Sequence, residues 1–208
     1  MAAGLAVARC SMETDPAGQA LVQALEEYRR RWPDEAGTVE AFLALAREAG
    51  AGGDPYVRAR LDGHFTGSAW VVDVGGRRTL LTHHRKLDRW LQPGGHADGL
   101  RDLRAVALKE AEEETGLPAL RVEGGIFDLD RHWIPARGEV PGHWHHDVRY
   151  VVRATAGEAF VVSDESHALA WREIREVAAD ASMDPSLRRM ARKWLAVFSL
   201  LPPGEGVA

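Results

Sequence analysis

The sequence predicts a layered α/β (α+β) domain preceded by an N-terminal helical extension. Three observations lead there. The first 60 residues carry apolar side chains at helical spacing. From Phe65 onward, β-rich runs alternate with glycine turns. Further helical segments are interspersed among those runs. The 208 residues, 45% hydrophobic and 27% charged, are enough to bury a substantial core. The expected division is residues 1–60 as the extension and 61–203 as the main domain.

In order along the chain, Asp15-Pro16 reads as an N-cap followed by proline in the first helical turn. Leu21, Leu25 and Tyr28 repeat on one face, and Trp32-Pro33 ends that helix. Thr38 is the expected cap of a second helix carrying Val39, Phe42, Leu43 and Ala46, which Gly50 closes. The glycine-rich stretch from Ala49 to Pro55 reads as a hinge. Ser68–Val74 and Arg78–Thr82 form a predicted hairpin around Gly75-Gly76. A short run at Trp90–Gln92 stops at Pro93-Gly94-Gly95, which reads as a loop. A helix is expected over residues 102–115, ended by Gly116. Val122–Leu129 and His146–Ala154 are strand candidates, and Ala168–Glu173 is either a strand or the approach to a short helix. Asp184-Pro185 opens a last helix with Leu187, Met190, Ala191, Trp194 and Phe198 on one side.

Composition excludes several classes. Asp and Glu outnumber Lys and Arg by 31 to 26, a net charge of −5, which argues against a nucleic-acid binder. A small anionic ligand needs only a local cation and stays open. The single cysteine, Cys10, excludes an internal disulfide framework and a multi-cysteine zinc site. No run approaches a membrane span, and the first ten residues lack the basic start of a signal peptide. The expected compartment is cytoplasmic.

One segment, Gly94–Leu117, concentrates chemistry. On its predicted helix, Glu110, Glu113 and Glu114 continue the apolar face of Leu103, Val106 and Ala107, whereas Glu112 points away. Like charges three and four residues apart repel, and an ionised carboxylate that is partly buried needs compensation. Either one acid keeps its proton or a hard divalent cation lies among them, and oxygen ligands favour Mg²⁺ or Mn²⁺. The alternative is a solvated acidic helix. Gly94 and Gly95 before the helix allow backbone to approach a ligand, and Gly116 stops the helix directly after the acids.

These residues resemble the Nudix hydrolase signature, G-x5-E-x7-R-E-U-x-E-E-x-G-U with U aliphatic. Gly95 opens it, Glu110, Ala111, Glu113 and Glu114 fill its second half, and Gly116-Leu117 close it. Two positions depart: Arg101 stands where the signature has its first Glu, and Lys109 where it has Arg. The signature's own Glu–Arg pair therefore cannot form, and Asp102 or Asp98 is the expected partner of Lys109. The resemblance implies an α/β/α sandwich with a mixed sheet. It implies a metal-dependent hydrolase cleaving the pyrophosphate of a nucleoside diphosphate linked to a group X. Gly95, Glu110, Glu113 and Glu114 are the implied Mg²⁺ (or Mn²⁺) ligands. Among Glu113, Glu114 and the later Glu165 lies the implied general base. The alternative is a nucleotide-binding or regulatory module with little turnover.

Nine histidines and a scatter of arginines supply further candidates. His96, Arg85 and Arg149 are expected to contact substrate phosphates. His143, His145 and Asp147 form an alternative transition-metal set. Trp133 and Trp144 are candidates for stacking on a base. Tyr28 and Phe42 on the N-terminal helices are candidates for packing against a second copy, which allows a homodimer.

Overall fold

The computed structural model describes residues 16–48, 53–164 and 166–198. The predicted cap Asp15, the closing Gly50, Cys10, Glu165 and the chain end beyond 198 lie outside them.

Among the described residues two helices come first, α1 (Pro16–Arg31) and α2 (Ala36–Arg47), joined by a 3-10 turn at Pro33–Glu35. Thr38 therefore lies inside α2 and is not its cap. The turn begins the second helical segment five residues earlier, because Pro33 fits a helical first position. Seven strands follow: β1 (His64–Val72), β2 (Arg78–His84), β3 (Arg89–Leu91), β4 (Gly94–His96), β5 (Leu120–Ile134), β6 (His143–Ala154) and β7 (Ser166–Glu173). The remaining helices are α3 (Leu103–Thr115), α4 (Ile174–Ala179) and α5 (Pro185–Phe198).

The sheet runs β3-β2-β1-β6-β5, with β4 also paired to β1 and β7 to β2. It is mixed: β1 and β6 run parallel, with His64 opposite His145, and the other pairs are antiparallel. β7 leads straight into α4, so both readings of the segment near residue 170 hold in sequence. Three strand expectations needed correction. Gly94–His96 is a strand and not a loop, because it pairs with Thr66–Ser68. β6 begins at His143, so His143 and His145 sit in a strand. β5 extends to Ile134 through an irregularity between Glu123 and Asp128.

Alternation along β1 divides the core. Phe65, Ala69 and Val71 face one way, into a cluster shared with Leu25 and Tyr28 of α1, Phe42 of α2, and Leu103, Val106 and Ala107 of α3. Trp70 and Val72 face the other way, onto Ile174 and Val177 of α4 and Leu187, Met190, Ala191 and Trp194 of α5. The result is an α/β/α sandwich with a mixed sheet. Tyr28 and Phe42, expected to face a second copy, are 2% and 0% exposed and are used within the chain.

Candidate active site and its family

The site is built by β4 and α3. Asp102 caps α3, its carboxylate accepting the N–H groups of Arg104 at 3.0 Å and Ala105 at 3.2 Å. Gly116 ends the helix at φ 61°, a left-handed conformation suited to glycine. Between these caps, Leu103, Val106, Ala107 and Ala111 are buried and hold the helix against the sheet. Gly67 lets the helix come close: a Cβ there would lie 2.9 Å from both the Leu103 carbonyl and Val106.

The same packing presses the acidic face onto β4. Glu114 is 8% exposed, and the Gly94 N–H donates to its Oε1 at 2.8 Å. A Cβ on Gly95 would lie 2.5 Å from Glu110 Oε2, so glycine is required for the backbone to meet that carboxylate. Glu113 lies at the open side, its side chain 59% exposed. Gly95, Glu110, Glu113 and Glu114 are thus brought to one strand–helix junction. Its donors are all oxygens, the kind that suits Mg²⁺ or Mn²⁺, and the missing Cβ of Gly95 leaves room beside Glu110. The residues fit a hard divalent cation.

The two cations of the box find other partners than expected. Lys109 does not meet Asp102, which is spent on the helix cap, or Asp98, which is paired with Arg58. Its Nζ bridges Glu110 Oε1 at 3.2 Å and Glu113 Oε2 at 2.9 Å, which raises the pKa of the ammonium. Arg101 reaches upstream to Asp54 at 3.1 Å and lies over the Tyr56 ring. The charge reversal at 101 is matched by an acid nearly fifty residues away, where no sequence spacing points.

The proposed phosphate contacts separate. His96 follows Gly95 on β4. Arg85 is exposed at the end of β2 and donates to the Ser166 carbonyl at 3.2 Å. Arg149 is 2% exposed and bonded to Asp128, Asp130 and Asp147, so a substrate phosphate has no access to it. The strand alternation that separates it from Tyr150 points it into the protein. Asp147 also accepts from Thr66 at 2.9 Å and Ser68 at 2.8 Å, so it does not join His143 and His145 as a metal set. Instead the histidines meet one another: potential ligand atoms of His64, His96 and His145 all lie within 4.8 Å. Burial pulls the pKa of His96 down to about 4 and of His145 to about 2, so both rings are neutral at pH 7.

Two functional candidates were missed in the sequence. His64 opens β1, and only the parallel register with β6 brings it to His145. Arg58 sits in the segment between α2 and β1, its guanidinium held by Asp98 and, secondarily, under the field of Glu110. Trp133 and Trp144 meet edge to face at 5.3 Å, with Arg131 over Trp144.

The chain matches the NUDIX domain over residues 64–194, and it belongs to the Nudix family. That family match makes it a Nudix-type pyrophosphohydrolase. Among solved structures it is similar to an Ap4A hydrolase from C. elegans, at 17% identity and TM-score 0.53, over 66% of this chain and 98% of that one. It is also similar to a Nudix hydrolase, RenU, from M. smegmatis, at 22% identity and TM-score 0.51, over 69% and 91%. A third is the dihydroneopterin triphosphate pyrophosphohydrolase of E. coli, at 14% identity and TM-score 0.52, over 64% and 95%. At these identities the likeness is one of fold. No curated protein matches the chain. Among the described residues no helix is long and apolar enough to cross a membrane.

Proposed function

We propose that this protein is a Mg²⁺-dependent hydrolase of a nucleoside diphosphate linked to a group X. The observation that carries the reading is the junction of β4 and α3, where Gly95 backbone meets Glu110 and the Gly94 N–H fixes Glu114. Glu110, Glu113, Glu114 and the Gly95 carbonyl would hold Mg²⁺, with Mn²⁺ acceptable to the same oxygens. When bound, the ion supplies Lewis-acid neutralisation of the pyrophosphate charge.

The chain's own groups do the rest. Glu114, buried and bonded to Gly94, keeps β4 and α3 in fixed relation. Glu113 faces solvent and takes the proton of the attacking water as its oxygen bonds to phosphorus and the P–O bond of the bridge breaks. Glu165 is the second candidate for that proton. Lys109 offsets the mutual repulsion of Glu110 and Glu113 until substrate and ion arrive. Arg58 and Arg85 are the candidates for contacting phosphate oxygens, since strand alternation turns His96 to the other face of the sheet. Ap4A and dihydroneopterin triphosphate, for which two of the structural relatives are named, are compatible with this chemistry and do not choose X.

The test is turnover of a panel of dinucleotides, nucleotide sugars and nucleoside triphosphates with and without Mg²⁺. Glu113→Gln, Glu114→Gln, Glu165→Gln and Arg101→Glu are run alongside. Metal-dependent release of the two phosphorylated cleavage products, a nucleoside monophosphate and phosphorylated X, by the wild type supports the reading. No release by the wild type, with release restored by Arg101→Glu, would favour a nucleotide-binding module instead.

A further inference from the structure

We propose that His64, His96 and His145 form a second metal site, suited to Zn²⁺, on the sheet face opposite the carboxylates. The proposal is independent of the substrate reading above. Strand register builds it. His64 lies opposite His145 on parallel β1 and β6, and His96 lies opposite Thr66 on β4. Alternation turns His96 away from the face on which Gly95 meets Glu110. The ring centroids are 5.2 Å apart for His64–His96, 4.8 Å for His64–His145 and 5.0 Å for His96–His145.

The surroundings prepare these rings as ligands. The His64 Nδ1 lies 3.2 Å from the Arg60 carbonyl, which takes its N–H and leaves the Nε2 lone pair directed elsewhere. That Nε2 is buried and has no hydrogen-bond partner among the described residues. A buried lone pair without a partner is costly, and a carbonyl on the opposite nitrogen is the usual outer support of a metal-bound imidazole. Arg60 is in turn held by Glu48 and bonds the Gly63 carbonyl. His143 repeats the pattern, with Nδ1 2.9 Å from the Pro141 carbonyl and Nε2 3.2 Å from the His145 Nε2. Tetrahedral Zn²⁺ with bonds of about 2.0–2.1 Å sets its nitrogens about 3.3 Å apart. His143 stands at that spacing from His145 alone and is placed to orient it, while the convergent group is His64, His96 and His145.

Ion choice follows from the donors. The group is all imidazole, which suits Zn²⁺ and disfavours Mg²⁺, whereas the α3 group is all oxygen. The nearby Arg58 charge is compensated by Asp98. His96 and His145 are half-buried, which leaves an entry path, whereas His64 is 1% exposed. An ion here would tie β1, β4 and β6 together one residue from Gly95, so its role is to position the strand that carries Gly95.

The experiment is a Zn²⁺ titration of metal-stripped full-length protein in excess Mg²⁺, with affinity and melting temperature as readouts. Expected are one Zn²⁺ per chain that Mg²⁺ does not displace, and a rise in melting temperature. His64→Gln and His96→Gln should each lose at least the roughly 10- to 100-fold in affinity that even an outer partner is worth. Glu113→Gln should bind Zn²⁺ as the wild type does. No Zn²⁺ binding, or binding that survives His64→Gln and is lost in Glu113→Gln, overturns the proposal. Should the histidine variants fail to fold, X-ray absorption of the Zn²⁺-loaded wild type decides. A nitrogen shell of three or four donors supports the site, and an oxygen shell overturns it.

Discussion

At Gly95 one absent methyl group lets backbone reach a carboxylate. An added Cβ would lie 2.5 Å from Glu110 Oε2, the mobile tip of a long side chain. Gly95→Ala should therefore leave thermal stability nearly unchanged while lowering turnover more than about tenfold, since a misplaced ligand is enough for that. Gly67→Ala is the contrast. Its Cβ would meet the Leu103 carbonyl and Val106, which cannot give way, so a loss of about 1–3 kcal/mol in denaturant unfolding is expected. Lys109 invites a different test. Its ammonium bridges Glu110 and Glu113, so an incoming cation competes with it. Lys109→Met should lower the Mg²⁺ concentration for half-maximal activity, with stability changed by less than about 0.5 kcal/mol because the pair is exposed. The shared side of the three glutamates was legible because helical spacing fixes it, whereas Gly95 joined them only through the resemblance to the signature. The partners of Lys109 and Arg101 were not. Asp102 is taken by the helix cap and Asp98 by Arg58, and the acid that answers Arg101 comes from Asp54.

Among the elements, α3 was the most legible, since an apolar stripe and a glycine stop lie within its own sequence; its cap was not, because Asp102 was expected to partner Lys109. Asp102 accepts two backbone N–H groups at its start. Asp102→Ala should cost about 0.5–2 kcal/mol in urea unfolding, whereas Asp102→Asn, still a capping residue, should be close to neutral. The strands were legible where their runs were long and apolar. β4 was not, because Gly94-Gly95-His96 has no strand propensity and is extended only by pairing with Thr66–Ser68. The start of β6 at His143 was hidden for a related reason. Its polar histidines alternate toward a face that only the parallel register with β1 reveals. That register also decides the fate of Arg149, which turns inward to three carboxylates.

Across the whole molecule, a buried charge network joins the N-terminal helices to the last one. Lys193 on α5 donates to the Tyr28 hydroxyl at 2.5 Å, to Glu35 and to Asp128 at 2.7 Å. Arg189 and Arg149 share Asp128. Without Lys193, Asp128 keeps its two guanidiniums while Glu35 and the Tyr28 hydroxyl lose their ammonium, so Lys193→Ala should cost about 1–3 kcal/mol and lower the melting temperature. Helical periodicity predicted α1 and α2, and could not show that they pack into the core of the sheet domain. The negative charge of the chain gains its meaning at this scale: the sheet and its helices gather acids onto one junction where an anionic substrate needs a cation. The most direct measurement is Mg²⁺-dependent release of the two phosphorylated cleavage products by the wild type beside Glu113→Gln and Glu114→Gln. The Gln at 114 still accepts the Gly94 N–H, so the fold is preserved. Loss of about 100-fold or more in kcat in each variant, in the range that a lost charge-stabilising group costs, is the predicted result. Release that persists at the wild-type rate in both would contradict a metal site on α3.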